Sequence, residues 1–221
     1  ANGVKVYADI VLNHRMGADE SEEVYAQKSA GNDRNRELSS PAPITAWTRF
    51  TFPGRAGKYS DFQWDWTCFD GVDWDDKRDV TAVYQFDGKD WDGQVDCENG
   101  NYDYLMGADL DMSAPKVIEE LDRWGKWYLE TTGVDGFRLD AVKHIRASYF
   151  THWLQTLRHS SGKPLPAIGE YWKNDLGALT YYLDQCGQVM RLFDVPLHFQ
   201  FHRLSTANGS MDLRDLFRGT L

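Results

Sequence analysis

The spacing of hydrophobic residues changes along the chain and separates an opening strand from a long irregular stretch. Residues 4–12 (VKVYADIVL) form a mostly apolar run of strand length, typical of a strand buried on both faces in a parallel sheet. From His14 to about Leu105 no long helical period is visible, and pieces such as WTRFTF and TAVYQF alternate like antiparallel strands. Because a structureless loop of this length would be unusual, we predict an irregular β-rich domain there.

Beyond this stretch, strands alternate with helices. The predicted elements, in order, are a helix from Pro115 to about Gly133, a strand over 134–142, a helix over about 145–160, a strand at PAIGEYW, a helix after Asn174, a strand at VMRLFDVPL and a final helical segment. Ser113 and Asn174 are the predicted N-caps of the first and third helices, and Gly133 ends the first. This order predicts a parallel sheet with right-handed crossovers.

These patterns predict a main domain with one large insertion. A chain of 221 residues is long enough for one sizeable core, or for one domain that carries an inserted one. We assign residues 1–13 to a strand of the main domain, 14–108 to the inserted β-rich domain and 109–221 to the continuation of the main domain.

Composition and charge narrow the class of protein. The formal net charge of −10 argues against a surface for nucleic acid or for anionic membranes, and no apolar run is long enough to span a bilayer. Three cysteines, Cys68, Cys97 and Cys186, make neither a disulfide framework nor a zinc-site spacing. Aromatic residues make up 14% of the chain, a content typical of sugar-binding proteins, although large rings are more often core residues.

One predicted strand carries two opposite charges. Arg138 and Asp140 lie two positions apart in GFRLDAVKH, so their side chains point to one face of the strand, while Phe137 and Leu139 point to the other. Burying a charge is costly unless it is paired and hydrogen-bonded. The pattern fits either a structural ion pair or a catalytic carboxylate that a neighbouring guanidinium keeps ionised.

Chemically versatile residues follow three of the predicted strands. In parallel α/β folds, functional side chains gather at the carboxyl ends of strands. The residues in such places are Asn13, His14, Asp140, Lys143, His144, Glu170 and Trp172. An aspartate and a glutamate on neighbouring strand ends, beside an arginine and aromatic rings, are typical of a glycoside hydrolase. A single histidine in such a place is more often a core or capping residue.

Several segments together resemble the α-amylase family of glycoside hydrolases. DIVLNH (9–14), GFRLDAVKH (136–144) and GEYW (169–172) are similar, in order and spacing, to three signature segments of that family. The resemblance extends through WTRFTFPGRAGKYSDFQWDW, ENGNYDYLMGADLD and FDVPLHFQFH, and it is strongest to the bacterial liquefying and intracellular branch. It implies part of a (β/α)₈ TIM barrel, about strands 3 to 6, with a β-rich domain inserted after the first strand present.

The resemblance implies a retaining endohydrolase of α-1,4-glucans. Asp140 would be the nucleophile that forms a covalent glycosyl-enzyme, and Glu170 the acid/base that first protonates the leaving oxygen. Arg138 would keep Asp140 ionised and aimed, with Asp9 as a second partner of the guanidinium. Retaining chemistry then requires the two catalytic carboxyl groups to face one cleft, about 5 to 5.5 Å apart.

Substrate contacts follow from the same resemblance. His14 would hydrogen-bond a hydroxyl of the sugar at the cleaved bond, and Lys143, His144 and Trp172 would hold the glucose units beyond it. The implied partner is therefore an α-glucan polysaccharide or oligosaccharide. Neither a nucleic acid nor a membrane is an implied partner, and the complete protein is expected to be a monomer.

Calcium is the cofactor that the resemblance implies. Asn13, Asp103, Asp109 and the backbone carbonyl of His144 would hold a structural Ca²⁺ that ties the inserted domain to the barrel. A neighbouring metal cluster would use Asp70, Asp92 and Asp111. Close relatives carry an acidic residue at the place of Ser113, so the second cluster has one anionic ligand fewer here. By themselves, acidic pieces such as FDGVDWDD are typical of solvated turns.

The chain reads as a central piece of a longer polypeptide, which we call the parent protein. ANGVKVYADIVLNH enters a predicted buried strand almost at once, without a start methionine. The third catalytic carboxylate of the family would lie beyond Leu221, and a complete barrel needs about 250 residues. We therefore expect the chain alone to have no appreciable amylase activity. The sparse cysteines and the branch resembled favour the cytoplasm, while secretion stays open because the N-terminus of the parent protein is not in this sequence.

Alternatives remain open within and outside the family. A transglycosylase or a maltooligosaccharide-forming enzyme would carry the same catalytic aspartate and glutamate. From another class, the chain could be an inactive glucan-binding fragment, although intact Arg138, Asp140 and Glu170 argue against a decayed site. A doubly wound nucleotide-binding sheet would predict a glycine-rich phosphate loop after a strand, and the sequence contains none.

Overall fold

Two β-sheets of different kinds lie side by side along the chain. The computed structural model describes residues 2–209 and 212–221. The helices and strands in this part are, in chain order, β1 (Tyr7–Ile10), β2 (His14–Arg15), β3 (Glu20–Ala30), β4 (Asp33–Glu37), β5 (Ala42–Arg49), β6 (Phe69–Asp75), β7 (Val80–Phe86), β8 (Ala108–Leu110), α1 (Pro115–Thr132), β9 (Gly136–Leu139), α2 (Ala147–Ser161), β10 (Ala167–Gly169), α3 (Leu176–Gln185), β11 (Arg191–Leu192) and α4 (Val195–Thr206). Four short 3₁₀ turns complete the set, at Pro53–Arg55, Trp66–Cys68, Val142–His144 and Leu213–Asp215.

The first sheet is parallel and has the order β1-β9-β10-β11. β1 is shorter than the predicted strand over residues 4–12. Asp9 of β1 pairs with Arg138 of β9 in the register of the two strands. The helices α1, α2 and α3 connect successive strands after the insertion, so the predicted alternation of strands and helices is confirmed. Within the described residues this sheet stays open, and the (β/α)₈ barrel therefore remains a prediction.

The second sheet is antiparallel and contains the β-rich stretch. Its order is β2-β8-β6-β7-β3-β4, and β5 pairs with the other side of β3. TAVYQF lies in β7 as predicted, whereas only the first half of WTRFTF is in a strand, because β5 ends at Arg49 and Phe50 forms an isolated bridge with Trp64. The boundary assigned between residues 108 and 109 falls inside β8, which pairs with β2 and β6 of this sheet.

The helices begin and end where local chemistry allows, although not always at the predicted cap. Pro115 lies in the first turn of α1, and Gly133 ends the helix with a φ of 67°, a conformation that glycine adopts at little cost. Ser113 is not the N-cap as predicted. Ala114 takes that position, and the Ser113 hydroxyl donates to Asp111 at 2.5 Å instead. Asp175, rather than Asn174, caps α3 by accepting from the backbone N–H of Ala178.

The predicted fourth strand over VMRLFDVPL is mostly wrong. Only Arg191–Leu192 pairs with β10, and the chain turns into α4 at Val195. Asp194 caps this helix by accepting a hydrogen bond from the backbone N–H of Leu197 at 2.9 Å, and Pro196 occupies its first turn. A carboxylate cap followed by proline is a start signal for a helix, and it outweighed the apolar pattern of a strand. None of the helices in the described part is long and apolar enough to cross a membrane.

The core between α1 and α2 is packed so closely that it requires a glycine. Trp153 of α2 is fully buried, and its indole nitrogen donates to the backbone carbonyl of Leu121 in α1 at 3.2 Å. A Cβ atom at Gly125 would lie 2.9 Å from the indole ring of Trp153. The small residue in the middle of α1 therefore sets how closely the two helices approach.

We expect Gly125→Ala to destabilise the parent protein although alanine favours helices. Overpacking costs about 1–3 kcal/mol, whereas the gain in helix propensity is at most about 1 kcal/mol. Gly177→Ala in α3 is the matched control, because its Cβ would meet only a carboxylate oxygen of Asp175, at 3.2 Å. Urea unfolding should give a lower free energy of unfolding for Gly125→Ala than for Gly177→Ala. Equal stabilities would contradict this view of the packing.

Candidate active site and acidic cluster

One guanidinium group holds three carboxylates at the carboxyl end of the parallel sheet. Arg138 Nη1 lies 2.8 Å from Asp9 Oδ1 and also contacts Asp140, while Nη2 lies 2.7 Å from Glu170 Oε2. Partial burial lowers the pKa of Arg138, but hydrogen bonds from its guanidinium to Asp140 and Asp9 outweigh this effect and raise the pKa. The expected contact of Arg138 with Asp9 is present, and the group carries two more negative than positive charges when every carboxylate is ionised.

Backbone hydrogen bonds between adjacent strands fix the two predicted catalytic residues. Asp140 follows β9 and donates its N–H to Ile10 of β1 at 2.9 Å. Glu170 follows β10 and donates its N–H to Leu139 at 2.8 Å, while its carbonyl accepts from Val142 at 3.1 Å. Both carboxylates therefore leave the sheet at its carboxyl end, where they contact the same guanidinium.

The turn after Asp140 is conformationally strained. Ala141 has a φ of 52°, which an L-residue with a Cβ atom rarely adopts, and it leads into the 3₁₀ turn Val142–His144. This sharp change of direction brings Lys143 and His144 back toward the end of the sheet. A shallow pocket of about 230 Å³ results, and it is lined by Tyr102, Leu105, Asp140, Ala141, Lys143, His144, Glu170 and Trp172.

Lys143 links the inserted stretch to the loop after β10. Its Nζ lies 2.7 Å from a carboxylate oxygen of Glu98 and donates to the backbone carbonyl of Trp172 at 3.0 Å. The ammonium group also lies 4.7 Å from the centre of the Tyr102 ring. In this arrangement the predicted sugar-binding lysine is held in place on two sides of the pocket.

The His144 side chain is buried, and its hydrogen bond defines the tautomer. Nδ1 lies 2.6 Å from the backbone carbonyl of Tyr102, and a carbonyl oxygen can only accept, so Nδ1 carries the proton. Burial lowers the pKa of His144 to about 4, which keeps the ring neutral at ordinary pH. Nε2 of the neutral ring is thus an acceptor, a suitable partner for a hydroxyl group.

Trp172 lines this pocket, whereas His14 is not among its lining residues. His14 begins β2, and its Nδ1 lies 3.1 Å from the side-chain oxygen of Asn13. Burial lowers the pKa of His14, while the negative charge of Asp140 acts in the opposite direction. Trp172 is 47% exposed, and its ring lies 5.0 Å from that of His198 on α4. An exposed, supported indole is suited to stack on a sugar ring.

A second feature lies where the two sheets meet: three buried carboxylates close together. Oxygen atoms of Asp70, Asp103 and Asp109 all lie within 4.8 Å of one another. Asn13 Nδ2 donates to Asp109 Oδ1 at 3.1 Å and lies 3.5 Å from the backbone carbonyl of Asp103. The other oxygen of Asp109 is buried with no hydrogen-bond partner among the described residues. Such a group of oxygen ligands fits a hard cation.

The electrostatics of this acidic cluster also favour a bound cation. Burial raises the pKa of Asp70 to about 9 and that of Asp103 to about 8, and burial raises the pKa of Asp109 as well. Mutual repulsion among the carboxylates adds to the effect. Without a cation the cluster therefore holds protons at neutral pH, and a bound cation would displace them.

The structure groups the predicted metal ligands differently from the sequence. Asp70, which we assigned to the second metal cluster, lies with Asp103 and Asp109. Asp92 pairs with Arg146 at 2.5 Å, and Asp111 pairs with Lys89 and accepts from Ser113. Hydrogen bonds from Lys89 and Ser113 outweigh the effect of burial and lower the pKa of Asp111. These two carboxylates are already neutralised by protein cations.

The sequence did not predict the charged partners of three site residues: the cations that pair with Asp92 and Asp111, and the carboxylate that pairs with Lys143. Lys89 and Arg146 reach Asp111 and Asp92 across 22 and 54 residues, and Glu98 reaches Lys143 across 45 residues. No local spacing rule connects such distant positions. The family resemblance gave ligands for a metal, but it gave no signal for the residues that replace one.

Comparison with known proteins identifies relatives along the whole chain. Residues 1–208 match the family profile "Alpha amylase, catalytic domain". The chain is 52% identical to an "Alpha-amylase" of Geobacillus stearothermophilus, covering 100% of this chain and 41% of that protein. It is 49% identical to a "Glucan 1,4-alpha-maltohexaosidase" of Bacillus sp. (strain 707), covering 100% of this chain and 43% of that protein. The chain thus spans less than half the length of these two relatives.

One solved structure gives independent support for the fold. The crystal structure of CldA, described as the first cyclomaltodextrin glucanotransferase with a three-domain ABC distribution, matches with a TM-score of 0.55. The match covers 91% of this chain and 34% of CldA, at 19% sequence identity. At this identity the likeness concerns the fold alone.

We expect the stability of the metal-free parent protein to fall as pH rises. Asp70, Asp103 and Asp109 have folded-state pKa values above the usual 3.8, so the folded state binds more protons than the unfolded state. Each such group lowers the free energy of unfolding by about 1.4 kcal/mol per pH unit between its unfolded and folded pKa. Urea unfolding in a chelating buffer, between about pH 7.5 and pH 8.5, stays above most of the histidine titration, which is centred at about pH 6.5.

Asp109→Asn provides the control for this pH dependence. It removes one of the groups whose pKa is raised by folding, so its slope against pH should be shallower, by at most about 1.4 kcal/mol per pH unit for the group removed. An unchanged slope in Asp109→Asn, or stability that rises with pH in the chelating buffer, would contradict the role of the cluster.

Proposed function

Because the chain belongs to the α-amylase catalytic-domain family, we propose that the parent protein is an α-amylase. It would cleave internal α-1,4-glucosidic bonds of starch, glycogen and related glucans with retention of the anomeric configuration. The single observation that carries this proposal is the shared guanidinium, since Arg138 contacts both Asp140 and Glu170 at one end of one sheet. Most glycosidases use a pair of carboxyl groups in one pocket for catalysis.

In the proposed mechanism each carboxylate has its own role. Glu170 gives its proton to the glycosidic oxygen while Asp140 attacks the anomeric carbon, so the leaving chain departs as an alcohol and a covalent glycosyl-enzyme forms. Glu170 then removes a proton from water, which attacks the same carbon and releases Asp140. Arg138 positions Asp140 through its charged hydrogen bond. The carboxyl separation of about 5 to 5.5 Å that this chemistry requires stays a prediction.

The remaining pocket residues are proposed to bind glucose units. The neutral His144 ring offers Nε2 as a hydrogen-bond acceptor. Lys143 offers the N–H donors of an ammonium group that the contact with Glu98 keeps in position. Trp172 presents an exposed ring for stacking, while His14, on the side of β2, would hydrogen-bond the sugar at the cleaved bond.

The finer fold assignment is also part of the proposal. The four parallel strands would be strands 3 to 6 of a (β/α)₈ barrel, with the antiparallel sheet as its inserted domain. The third family carboxylate would then come from beyond Leu221. Catalytic residues that act together are strongly non-additive, so the chain alone should lack appreciable amylase activity.

A product-selective enzyme of the same family is the second candidate. The relative from Bacillus sp. (strain 707) is named for the release of maltohexaose units, and it is nearly as similar to this chain as the α-amylase is. The two candidates share Asp140 and Glu170 and differ in the sizes of their products. A transglycosylase would differ in transferring the sugar to another glucan instead of to water.

We propose one structural Ca²⁺ for this chain, held by Asp70, Asp103 and Asp109. Asn13 would become a fourth ligand if its amide turned so that Oδ1, which lies 3.1 Å from His14 Nδ1, faced the ion in place of Nδ2. The backbone carbonyl of His144, implied as a ligand by the family resemblance, stays a prediction. One buried oxygen of Asp109 has no hydrogen-bond partner in the described part of the chain, and this supports the assignment because a cation would supply the missing partner. The ion would neutralise the cluster and hold the two sheets together. Asp92 and Asp111 do not fit a second ion, since Arg146 and Lys89 already neutralise them.

We expect the parent protein to hydrolyse soluble starch, with the first products in the α-anomeric form. Glu170→Gln should lower kcat by at least about 1000-fold, since the acid/base is lost while the fold is kept. Glu23→Gln, an exposed change on β3, is the matched control and should leave kcat unchanged. Polarimetry or NMR of fresh digests gives the anomer, and chromatography gives product sizes. First products in the β-anomeric form would exclude the retaining mechanism.

We expect calcium to raise the melting temperature of the parent protein through the acidic cluster. A ligand that binds only the folded state stabilises it by mass action. Asp109→Asn should abolish most of this rise, whereas Asp87→Asn, an exposed change, should keep it. Calorimetric titration should give one bound ion fewer in Asp109→Asn than in the unchanged parent protein. An equal number of bound ions, or an unchanged rise in Asp109→Asn, would overturn the ligand assignment.

A further inference from the structure

Tyr59 and Trp127 form an exposed aromatic pair away from the candidate active site. Tyr59 follows the 3₁₀ turn Pro53–Arg55 and is 71% exposed, and Trp127 of α1 is 39% exposed. Their ring centres lie 5.6 Å apart, and the ring planes make an angle of 56°. Two large rings left in contact with water and with each other need an explanation, because burying them would stabilise the fold.

The backbone is strained in order to hold Tyr59 in this position. Its φ is 71°, an arrangement that costs a bulky residue about 1–3 kcal/mol and persists only where the surroundings impose it. Arg123 of α1 imposes it by donating from Nη1 to the backbone carbonyl of Tyr59 at 3.1 Å. The same guanidinium is anchored by the buried carboxylate of Glu120, which accepts from Nε at 2.9 Å. The backbone at Tyr59 is therefore held by α1, while the Tyr59 ring is exposed to solvent.

An open groove of about 540 Å³ adjoins this ring. Besides Tyr59, its lining includes Ser60, Asp61, Lys116, Glu119 and Arg123. Arg123 is paired with Glu120, and Lys116 lies 3.5 Å from Asp65, so the cations here are matched by anions. Among the described residues Asp61 and Glu119 have no cation partner, so the groove is acidic and disfavours an anion, while its donors and acceptors suit a ligand with hydroxyl groups.

The aromatic pair is remote from the predicted catalytic carboxylates. Helix α1 starts at Pro115 and ends at Thr132, just before the amino end of β9, whereas Asp140 follows the carboxyl end of that strand. Trp127 therefore lies about 18 Å along the helix from its start, toward the amino end of the sheet. A ligand at this pair would not occupy the pocket of Asp140 and Glu170.

We propose that Tyr59, Trp127 and the adjoining groove form a second, non-catalytic binding site for an α-glucan chain. The ligand class rests on the proposed function. A pyranose ring has faces of C–H groups, which the electron-rich face of an aromatic ring attracts, and its edges carry hydroxyls. α-1,4-linked chains are curved, and two rings inclined at 56° follow a curved chain better than a flat one. The site would hold the polymer while the pocket cleaves it.

The test compares the binding of parent-protein variants to insoluble starch granules. All variants carry Glu170→Gln, so that no substrate is consumed and any binding by the pocket is common to all. Tyr59→Asn and Tyr59→Gly remove the ring and tolerate a positive φ, whereas Tyr59→Phe keeps the ring. Tyr25→Asn on β3 is the matched control, because Tyr25 is also exposed, at 56%.

We expect both ring-removing variants to bind granules about fivefold more weakly, as for the loss of a contact worth about 1 kcal/mol. Tyr59→Phe and Tyr25→Asn should bind like the reference protein. With Glu170 restored, Tyr59→Asn should retain its kcat/KM on a short soluble maltooligosaccharide. Unchanged granule binding in Tyr59→Asn and Tyr59→Gly, or an equal loss in Tyr25→Asn, would overturn the second site.

The two proposals fail in different ways. If the parent protein hydrolyses soluble starch but binds granules independently of Tyr59, the second site is wrong and the α-amylase assignment stands. If it binds granules through Tyr59 but hydrolyses no glucan, the α-amylase assignment is wrong and the second site stands. A parent protein that neither binds nor hydrolyses starch would overturn both.

Discussion

The candidate active site depends on one cation shared by three carboxylates. Arg138 can reach Asp9, Asp140 and Glu170 only because β1, β9 and β10 are adjacent parallel strands, with Asp9 opposite Arg138. Helix α2 connects β9 to β10, and the strained turn at Ala141 follows directly after Asp140. A shift of one residue in either strand pairing would turn a charged side chain to the other face and separate the group.

Buried acids elsewhere in the chain are neutralised in two different ways. Asp92 and Asp111 have their own protein cations, Arg146 and Lys89. The carboxylates of Asp70, Asp103 and Asp109 have no salt-bridge partner among the described residues, and they repel one another. Near the junction between the two sheets, protein cations therefore neutralise one set of buried acids, and the proposed Ca²⁺ would neutralise the other.

The sequence predicted more of the fold than of the contacts. Strand–helix alternation, Pro115, Gly133 and the β-rich stretch follow from local rules, and the structure agrees with them. Local rules failed where two signals competed, as at Asp194, where a cap and a proline outweighed an apolar strand pattern. The pairs Lys89–Asp111 and Lys143–Glu98 join distant positions, so only the folded topology brings them together.

Lys143 has a consequence for how the molecule responds to disturbance. Lys143 bonds both Glu98 of the inserted stretch and the backbone carbonyl of Trp172, close to Glu170. It therefore connects the wall of the pocket to a part of the chain that supplies neither of the two proposed catalytic carboxylates. If the inserted stretch loosens on heating, these two bonds would pass the movement to Lys143 and to the backbone at Trp172, the residues proposed to bind glucose units. The stability of the pocket therefore depends on the stability of the inserted stretch.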